Sequence, residues 1–253
     1  MSDPKQNPAV DGGRIKTVLI YVLSSKKEPY RKMIDTAMET WDAEPLEGTR
    51  TVYYTGRPTG GDTERILSFS VPDELNFVGR ITLAAFAHAL RTWQFDYLAR
   101  PNISCYVRKK SLLDHCQSLP ERGVMQGIVA LPTHHCQVLR PFMWGGGQYI
   151  ISHDVVEDLV GQQAKWRHTL MEDVAMSELA QDCGHTLSNG KMCSINKTET
   201  GWNIMAYGGK PGFEFADWGD IAKADDQFYF RCKHDPDRSV DALVMRELKL
   251  HLP

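Results

Sequence analysis

The stretch FDYLARPNISCYV, residues 95–107, changes from apolar to polar and back again in mid-chain. Phe95, Tyr97 and Leu98 are typical of a buried strand. The polar tip that follows contains Arg100, Pro101, Asn102 and Ser104. Apolar character then returns at 105–107. Because ligands of parallel α/β sheets bind beyond the carboxyl ends of the strands, such a tip indicates a binding site.

Segments on the N-terminal side of this strand alternate between apolar runs and helical patterns. TVLIYVL (17–23) is a continuous apolar run that suits a strand covered on both faces. In 30–41 and in 78–93, apolar residues recur at spacings of three and four, which predicts helices. RTVYYTG (50–56) and RILSFSV (65–71) are further strand candidates. This order predicts an α/β fold with a mostly parallel central sheet flanked by helices.

The second half of the chain is less regular. The elements expected there are strands at 123–131 and 227–233, a glycine-rich loop entering a strand at 144–152, helices at 155–160 and 171–184, a loop-rich section at 185–220 and a final helix capped by Asp235. No internal repeat or linker indicates a second domain. We expect a flexible leader at 1–15 and a single domain at 16–253.

Composition and charge argue against several classes of protein. The 253-residue chain has a net charge of −3, so its surface is not basic overall, although a local basic patch stays open. No apolar run approaches the roughly 20 residues that span a bilayer. The polar start has no signal-peptide core, and we therefore expect a cytoplasmic protein. The motifs GxGxxG, GxxxxGK[ST] and GxSxG do not occur, so the usual dinucleotide, P-loop and acyl-transfer sites are disfavoured.

Six cysteines are scattered along the chain without a CxxC pair. A zinc site could be assembled from a small set of side chains: Cys183, His185 and Cys193, with His134 or His135. Their spacing matches no finger or ribbon pattern, so buried or loop cysteines are the better interpretation.

Two further features can carry chemistry. Glu172 and Asp173 begin a predicted helix, where the positive helix end favours an ionised carboxylate that could take a proton from a hydroxyl. Acidic residues are also common there simply because they stabilise the helix. Beside Trp144, the glycines Gly145, Gly146 and Gly147 allow a ligand to approach the backbone closely, which suits a sugar ring; a flexible turn is the alternative.

In this order, the segments resemble a glycosyltransferase of the GT-A type, in the group related to β-1,3-galactosyltransferases and their bacterial and viral members. The stretches that carry the resemblance are KTVLIYVLSSKKEPYRKMIDTAMETW (16–41), RTVYYTG (50–56), FDYLARPNISCYV (95–107), FMWGGGQYIISHDVVEDLV (142–160), MEDVAMSELAQDCG (171–184) and FYFRCKHDPDR (228–238). They match, in turn, the opening strand and helix, the second strand, the donor-site strand, the glycine-rich segment, the acidic E-D-V motif and a closing strand. The resemblance extends over about 16–250.

The resemblance implies transfer of a hexose from a nucleotide sugar, in particular a UDP-sugar, to an acceptor hydroxyl with inversion. Asp173, with Glu172 beside it, would supply the general base. The donor would contact Ser24, Ser25, Asp96, Arg100, Asn102, Ser104, Arg231 and Lys233. Trp144 and Gly145–Gly147 would contact the acceptor or the sugar.

One departure from the group concerns the metal. The group holds a divalent ion with D-x-D, whereas Asn102 and Ser104 keep the alternate spacing without a negative charge. We expect no required metal, with Arg100, Arg231 and Lys233 neutralising the leaving diphosphate. Arg231 and Lys233 could instead merely project from a strand edge. A divalent metal held by His234 is the alternative.

Two rival functions stay open. The first keeps the fold and glycosylates hydroxymethylated DNA bases rather than a glycan, a lipid-linked glycan or a protein; the basic VRKKS (107–111) motivates it, although a solvated helix start explains the same residues. The second is a non-catalytic module that binds nucleotide sugars, which the missing metal carboxylates motivate.

Overall fold

Apolar, β-branched and aromatic runs form the strands of a large central sheet. The structure, a computed structural model, describes residues 14–57, 62–132, 139–144, 148–234 and 236–252. Within them the strands are β1 (Val18–Leu23), β2 (Thr49–Gly56), β3 (Ile66–Phe69), β4 (Tyr97–Arg100), β5 (Cys105–Val107), β6 (Met125–Gly127), β7 (Val129–Ala130), β8 (Phe142–Met143), β9 (Tyr149–Ser152), β10 (Leu187–Asn189), β11 (Met192–Lys197), β12 (Trp202–Tyr207), β13 (Glu214–Phe215) and β14 (Tyr229–Arg231).

Helices follow several of these strands. They are α1 (Tyr30–Glu39), α2 (Val78–Thr92), α3 (Lys109–Ser118), α4 (His153–Gly161), α5 (Glu172–Asp182) and α6 (Ser239–His251). Short 3-10 segments lie at Leu75–Phe77, Gln163–Lys165 and Trp218–Ala224. Among the described residues, no helix combines the length and apolarity needed to cross a membrane.

The central sheet has seven strands in the order β10-β6-β9-β4-β1-β2-β3. β9 alone among them pairs antiparallel with its neighbours, β4 and β6. A second sheet contains five strands in the order β13-β12-β11-β14-β5, and β7 pairs with β8. The prediction of an α/β protein with a mostly parallel central sheet flanked by helices is therefore confirmed. The single domain at 16–253 stays a prediction.

Strand β1 divides the protein into two cores, because successive side chains of a strand point to opposite faces. Val18, Ile20 and Val22 pack into the core that α1, α3, α6 and the second sheet also line. Leu19 and Tyr21 pack into the core on the other face, which α2, α4 and α5 line. Fully burying one such side chain is worth about 1.5–3 kcal/mol. Both faces of β1 are covered, as its continuous apolar run predicts.

The second half departs from the sequence expectations in two places. The section at 185–220 contains β10 to β13, which the sequence pattern did not reveal because β10 and β13 have only three and two residues, and because β11 and β12 lack a strict alternation of apolar and polar residues. The single strand expected at 123–131 is divided between β6 and β7, which belong to different sheets. The strand expected at 227–233 is confirmed as β14, which belongs to the second sheet.

The final helix begins later than expected, at Ser239. It follows Arg238, whose φ of 62° lies in the left-handed region. The predicted cap Asp235 lies outside the described residues, as do residues 1–13 of the predicted leader.

Asp154 joins the start of α4 to the turn before β6. Its carboxylate accepts hydrogen bonds from the Ser152 hydroxyl (2.6 Å) and from the Gly123 N–H (3.0 Å). Partial burial opposes ionisation, but these donors and the Arg122 side chain outweigh it and hold the pKa of Asp154 below its ordinary value. The ionised carboxylate therefore stabilises the fold.

We expect Asp154→Ala to lower the free energy of unfolding by about 1 kcal/mol at neutral pH, as for other lost helix-start acceptors. Because the folded-state pKa is depressed, the stabilisation is complete above the ordinary Asp pKa of about 3.9 and is lost as pH falls through the folded-state value. Urea denaturation between pH 3 and pH 7 measures this. Glu157→Ala, an exposed change on the same helix, is the control. A difference that grows as pH falls would contradict the assignment.

Candidate functional site

The polar tip of the opening stretch lies beside the end of β1. The Leu23 N–H donates to the Pro101 carbonyl (3.0 Å), and the Ile103 N–H donates to the Leu23 carbonyl (2.9 Å). Leu23 also forms an isolated parallel bridge with Asn102. These main-chain bonds bring Ser24 and Asn102 to the same edge of the central sheet, as the rule for parallel strands predicts.

The closing strand β14 reaches the same tip from far along the chain. The Cys232 N–H donates to the Ser104 carbonyl (2.8 Å), and Arg231 lies opposite Cys105 in the antiparallel pairing of β14 with β5. Arg231 and Lys233 are the chain neighbours of Cys232, so both basic residues lie close to Ser104. Lys233 is exposed and Arg231 is half-buried. The structure thus brings together the tip and both basic residues.

Arg231 also packs on the aromatic residue that precedes the three glycines. Its guanidinium lies 5.5 Å from the ring centroid of Trp144, and Tyr207 packs on the same ring at 5.7 Å. One guanidinium nitrogen of Arg231, Nη1, is buried and has no hydrogen-bond partner among the described residues. Trp144 is 38% exposed. Gly145–Gly147 lie outside the described residues.

Arg100 points into the core instead of toward solvent. Its side chain is 1% exposed, and its Nη2 lies 3.1 Å from Glu172 Oε1. Its Nε donates to the Tyr54 hydroxyl (3.3 Å), and its Nη1 donates to Asn102 Oδ1 (2.9 Å). The guanidinium also lies 5.3 Å from the ring centroid of Tyr149. Contact between Arg100 and a phosphate would require the ion pair with Glu172 to open. Arg100 is therefore not among the phosphate contacts that the geometry supports.

Glu172 is the carboxylate that balances Arg100. Burial raises the pKa of Glu172, and the Arg100 guanidinium opposes that rise. Burial disfavours the charge of Arg100, but the Glu172 carboxylate and the Tyr54 hydroxyl outweigh it, so the pKa of Arg100 lies above its ordinary value. The Thr82 hydroxyl donates to the same Glu172 oxygen (3.3 Å). With these partners Glu172 joins α5 to β4, and its predicted catalytic role stays a prediction.

Asp173 follows Glu172 in the first turn of α5. Its side chain is buried, and its Oδ1 accepts a hydrogen bond from the Val174 N–H (2.9 Å), so part of its role is to stabilise the helix start. The Ser177 hydroxyl donates to the Asp173 carbonyl (2.6 Å) and accepts from the Met143 N–H (2.8 Å). These bonds attach the start of α5 to the strand that leads into Trp144.

Two predicted donor contacts differ in their surroundings. Asp96 lies just before β4, where its Oδ2 accepts from the Thr17 N–H (2.7 Å). Thr17 precedes β1, so Asp96 is at the amino edge of the sheet, opposite the tip, and is not part of the cluster. Ser25 lies at the correct edge, but its hydroxyl donates to Asp73 Oδ2 (2.5 Å) and holds the loop after β1 against the loop after β3.

One ring nitrogen of His234 contacts a buried carboxylate. Its Nδ1 lies 3.1 Å from Oδ1 of the fully buried Asp241, while its Nε2 is buried without a partner among the described residues. A carboxylate behind an imidazole is common at metal sites. No group of three or more His, Cys, Asp or Glu side chains suited to a metal occurs in the described ranges, however. A single imidazole does not make up a divalent-metal site.

The described cysteines follow the simpler interpretation; Cys183 is half-buried, and Cys136 lies outside the described residues. Those at 105, 116, 193 and 232 are buried free thiols. His185, a member of the zinc alternative, has its Nε2 2.8 Å from Asp158 Oδ2. His134 and His135 lie outside the described residues.

The basic stretch VRKKS (107–111) is used within the protein. Its three cations contact, in order, the carbonyl of Asp225 (2.8 Å) and the carboxylates of Asp42 (3.3 Å) and Asp114 (2.5 Å). Lys109 and Lys110 are the first two residues of α3, as the helix-start interpretation predicts. Lys109 is committed to a buried carboxylate and Lys110 to a surface pair, so two of the three cations already have a carboxylate partner.

Reasoning from the sequence missed the buried polar groups around Arg100. Tyr54, Thr82 and Tyr149 come from β2, α2 and β9, and no motif connects them. A scan against protein-family models finds no match for the chain, and a search of curated proteins finds no significant relative. The assignment of a function therefore depends on the geometry of the site.

We expect Glu172→Gln to lower the free energy of unfolding by about 3–5 kcal/mol, because it leaves the buried Arg100 charge without its counter-ion. Urea denaturation at pH 7 measures the change. The control Glu64→Gln alters an exposed carboxylate and should cost less than about 0.5 kcal/mol. Equal losses for the two variants would show that Arg100 does not depend on Glu172.

Proposed function

We propose that this protein is an inverting glycosyltransferase with a GT-A-type fold, which moves a hexose from a nucleotide sugar to an acceptor hydroxyl. One observation carries the proposal. The loop after β1, the tip at Asn102 and Ser104, and the basic residues Arg231 and Lys233 meet at the carboxyl edge of a mostly parallel sheet. That edge is where such sheets bind nucleotides.

The basic residues suit a diphosphate. An arginine can bind phosphate oxygens in a fork, and a lysine acts as a point charge. Arg231 has a buried nitrogen without a partner among the described residues, and Lys233, two residues further along the chain, is exposed. In the proposed reaction, Arg231 and Lys233 stabilise the negative charge that develops as the nucleotide diphosphate leaves.

Asp173 is the proposed general base. The acceptor oxygen attacks the anomeric carbon while the bond from that carbon to the diphosphate oxygen breaks, and Asp173 takes the hydroxyl proton. A single displacement of this kind inverts the anomeric centre. The positive end of α5 favours the ionised carboxylate that the step requires. The bonds from Ser177 tie this helix start to the strand before Trp144, which we propose contacts the sugar or the acceptor.

The residues present do not fit the metal site of the related group. Asn102 and Ser104 offer neutral oxygens, which bind Mg²⁺ or Mn²⁺ weakly without carboxylates, and His234 contributes one nitrogen. We therefore derive no step through a metal. Among acceptors we favour a glycan, because a partly exposed aromatic side chain suits a sugar, whereas two of the three cations in the basic stretch that motivated DNA already pair with carboxylates of the chain.

Asp173→Asn tests the base. It should lower transfer and donor hydrolysis by about 100-fold or more, because general bases contribute roughly 10²–10⁴ in rate, and should leave the affinity for UDP unchanged. A panel of nucleotide sugars with product detection measures turnover, and isothermal titration calorimetry measures UDP binding. Asp220→Asn, a half-buried aspartate in the first turn of the 3-10 segment Trp218–Ala224, is the control. Wild-type turnover by Asp173→Asn would rule out this base. Binding without any turnover by the wild type would indicate a non-catalytic module.

Arg231→Met tests how the diphosphate is neutralised. Methionine keeps much of the packing on Trp144, but the charge-assisted bonds are lost, so UDP affinity should fall about tenfold or more. Uridine, which has no phosphate, should bind both proteins equally. Arg246→Met, an exposed change on α6, is the matched control. Transfer by the wild type should survive excess chelator; complete loss that Mn²⁺ restores would contradict this account and favour the alternative at His234.

A further inference from the structure

One guanidinium joins the polar tip to the start of helix α5. Arg100 Nη1 donates to Asn102 Oδ1 at 2.9 Å, and Arg100 Nη2 lies 3.1 Å from Glu172 Oε1. Asn102 belongs to the tip, and Glu172 is the first residue of α5 and the chain neighbour of Asp173. Two polar contacts therefore connect the side chain proposed to meet the donor with the helix that carries the proposed base.

The connection is enclosed, which limits how its members can move. Arg100 is 1% exposed and Glu172 is 8% exposed. Tyr54 and Thr82 supply the neighbouring hydroxyls, and the Tyr149 ring lies against the guanidinium. A buried charge that loses its partner costs several kcal/mol, so Arg100 and Glu172 move together or not at all. Through the bond from Arg100 to Asn102, the tip is in direct contact with this pair.

Stability alone does not explain why the protein has a buried ion pair between Arg100 and Glu172. A buried ion pair can often be replaced by apolar residues of similar volume with no loss of stability. Positioning explains the pair better, because it connects the donor-binding tip at Asn102 with the helix start that carries Asp173. The separation of these two groups matters for in-line displacement. A misplacement of about 1 Å between a reacting group and its partner can cost about 100-fold in rate.

We propose that Arg100 is a positioning residue, which through Glu172 and Asn102 sets the distance between the donor-binding tip and the base Asp173. This inference rests on the proposed function and reassigns Arg100 from phosphate contact to the alignment of the two halves of the site. Binding of a nucleotide at the tip then orders the first turn of α5.

The double variant Arg100→Met/Glu172→Leu tests the proposal, because it removes both charges and leaves neither buried alone. We expect a melting temperature close to that of the wild type, a kcat reduced about 100-fold and a KM for the donor changed far less. A purely structural pair would leave kcat unchanged once stability is restored. Wild-type kcat in a stable double variant therefore overturns the proposal.

Hydrogen exchange supplies a readout that does not require turnover. In the wild type, UDP should slow the exchange of amides at 172–176 and leave helix α4 (153–161) unaffected. The double variant should bind UDP without this slowing. Equal slowing in both proteins, or none in a wild type that binds UDP, overturns the positioning role and leaves the proposed function intact.

A further variant keeps the proposal testable if the double variant does not fold. Asn102→Ala keeps the buried ion pair and removes only the contact to the tip, so it should fold and should lose the response of α5 to UDP. A wild-type response in Asn102→Ala overturns the proposal. A wild type that binds neither UDP nor any nucleotide sugar overturns the proposed function and this inference with it.

Discussion

Strand β1 is paired on both edges and covered on both faces, and the position of the candidate site follows from where this strand ends. Its pairing with β2 and β4 is parallel, so the three strands deliver their carboxyl ends to one edge. At Leu23 the backbone continues to bond to the chain beyond β4. The loop after β1 and the polar tip after β4 thus lie side by side as a consequence of main-chain hydrogen bonding.

The charged residues in the interior are paired with each other, whereas the basic residues at the carboxyl edge of the sheet are more accessible to solvent. Arg100 and Glu172 neutralise each other in the interior, where an isolated ion is too costly to keep. Arg231 and Lys233 approach the same tip from the second sheet, on a half-buried and an exposed side chain. The first pair is suited to alignment, and the second pair is suited to binding an anion. Sequence alone cannot separate these roles, because all three cations look alike in a one-dimensional pattern.

Much of the fold could be predicted because β1 and the helices α1 and α2 carry strong periodic patterns. The strands β10 to β13 could not, since β10 and β13 have only three and two residues and β11 and β12 do not alternate strictly between apolar and polar residues. At the site, Asn102, Ser104 and Ser24 were predictable from the rule for parallel edges. Asp96 was placed wrongly by proximity in sequence to the tip, although the length of β4 separates it from that edge. Tyr54, Thr82 and Tyr149 were missed because their meeting is a matter of packing.

The sequence by itself determined the α/β class, the burial of both faces of β1 and the polar tip after β4, because these depend on local periodicity and on the composition of single segments. Only the tertiary structure decided that Arg100 turns inward to Glu172 while Arg231 and Lys233 reach the tip from more than a hundred residues away. The physical reason is that these outcomes depend on which groups share a low-dielectric interior and which strand edges pair. Neither of these is encoded at any one position of the chain.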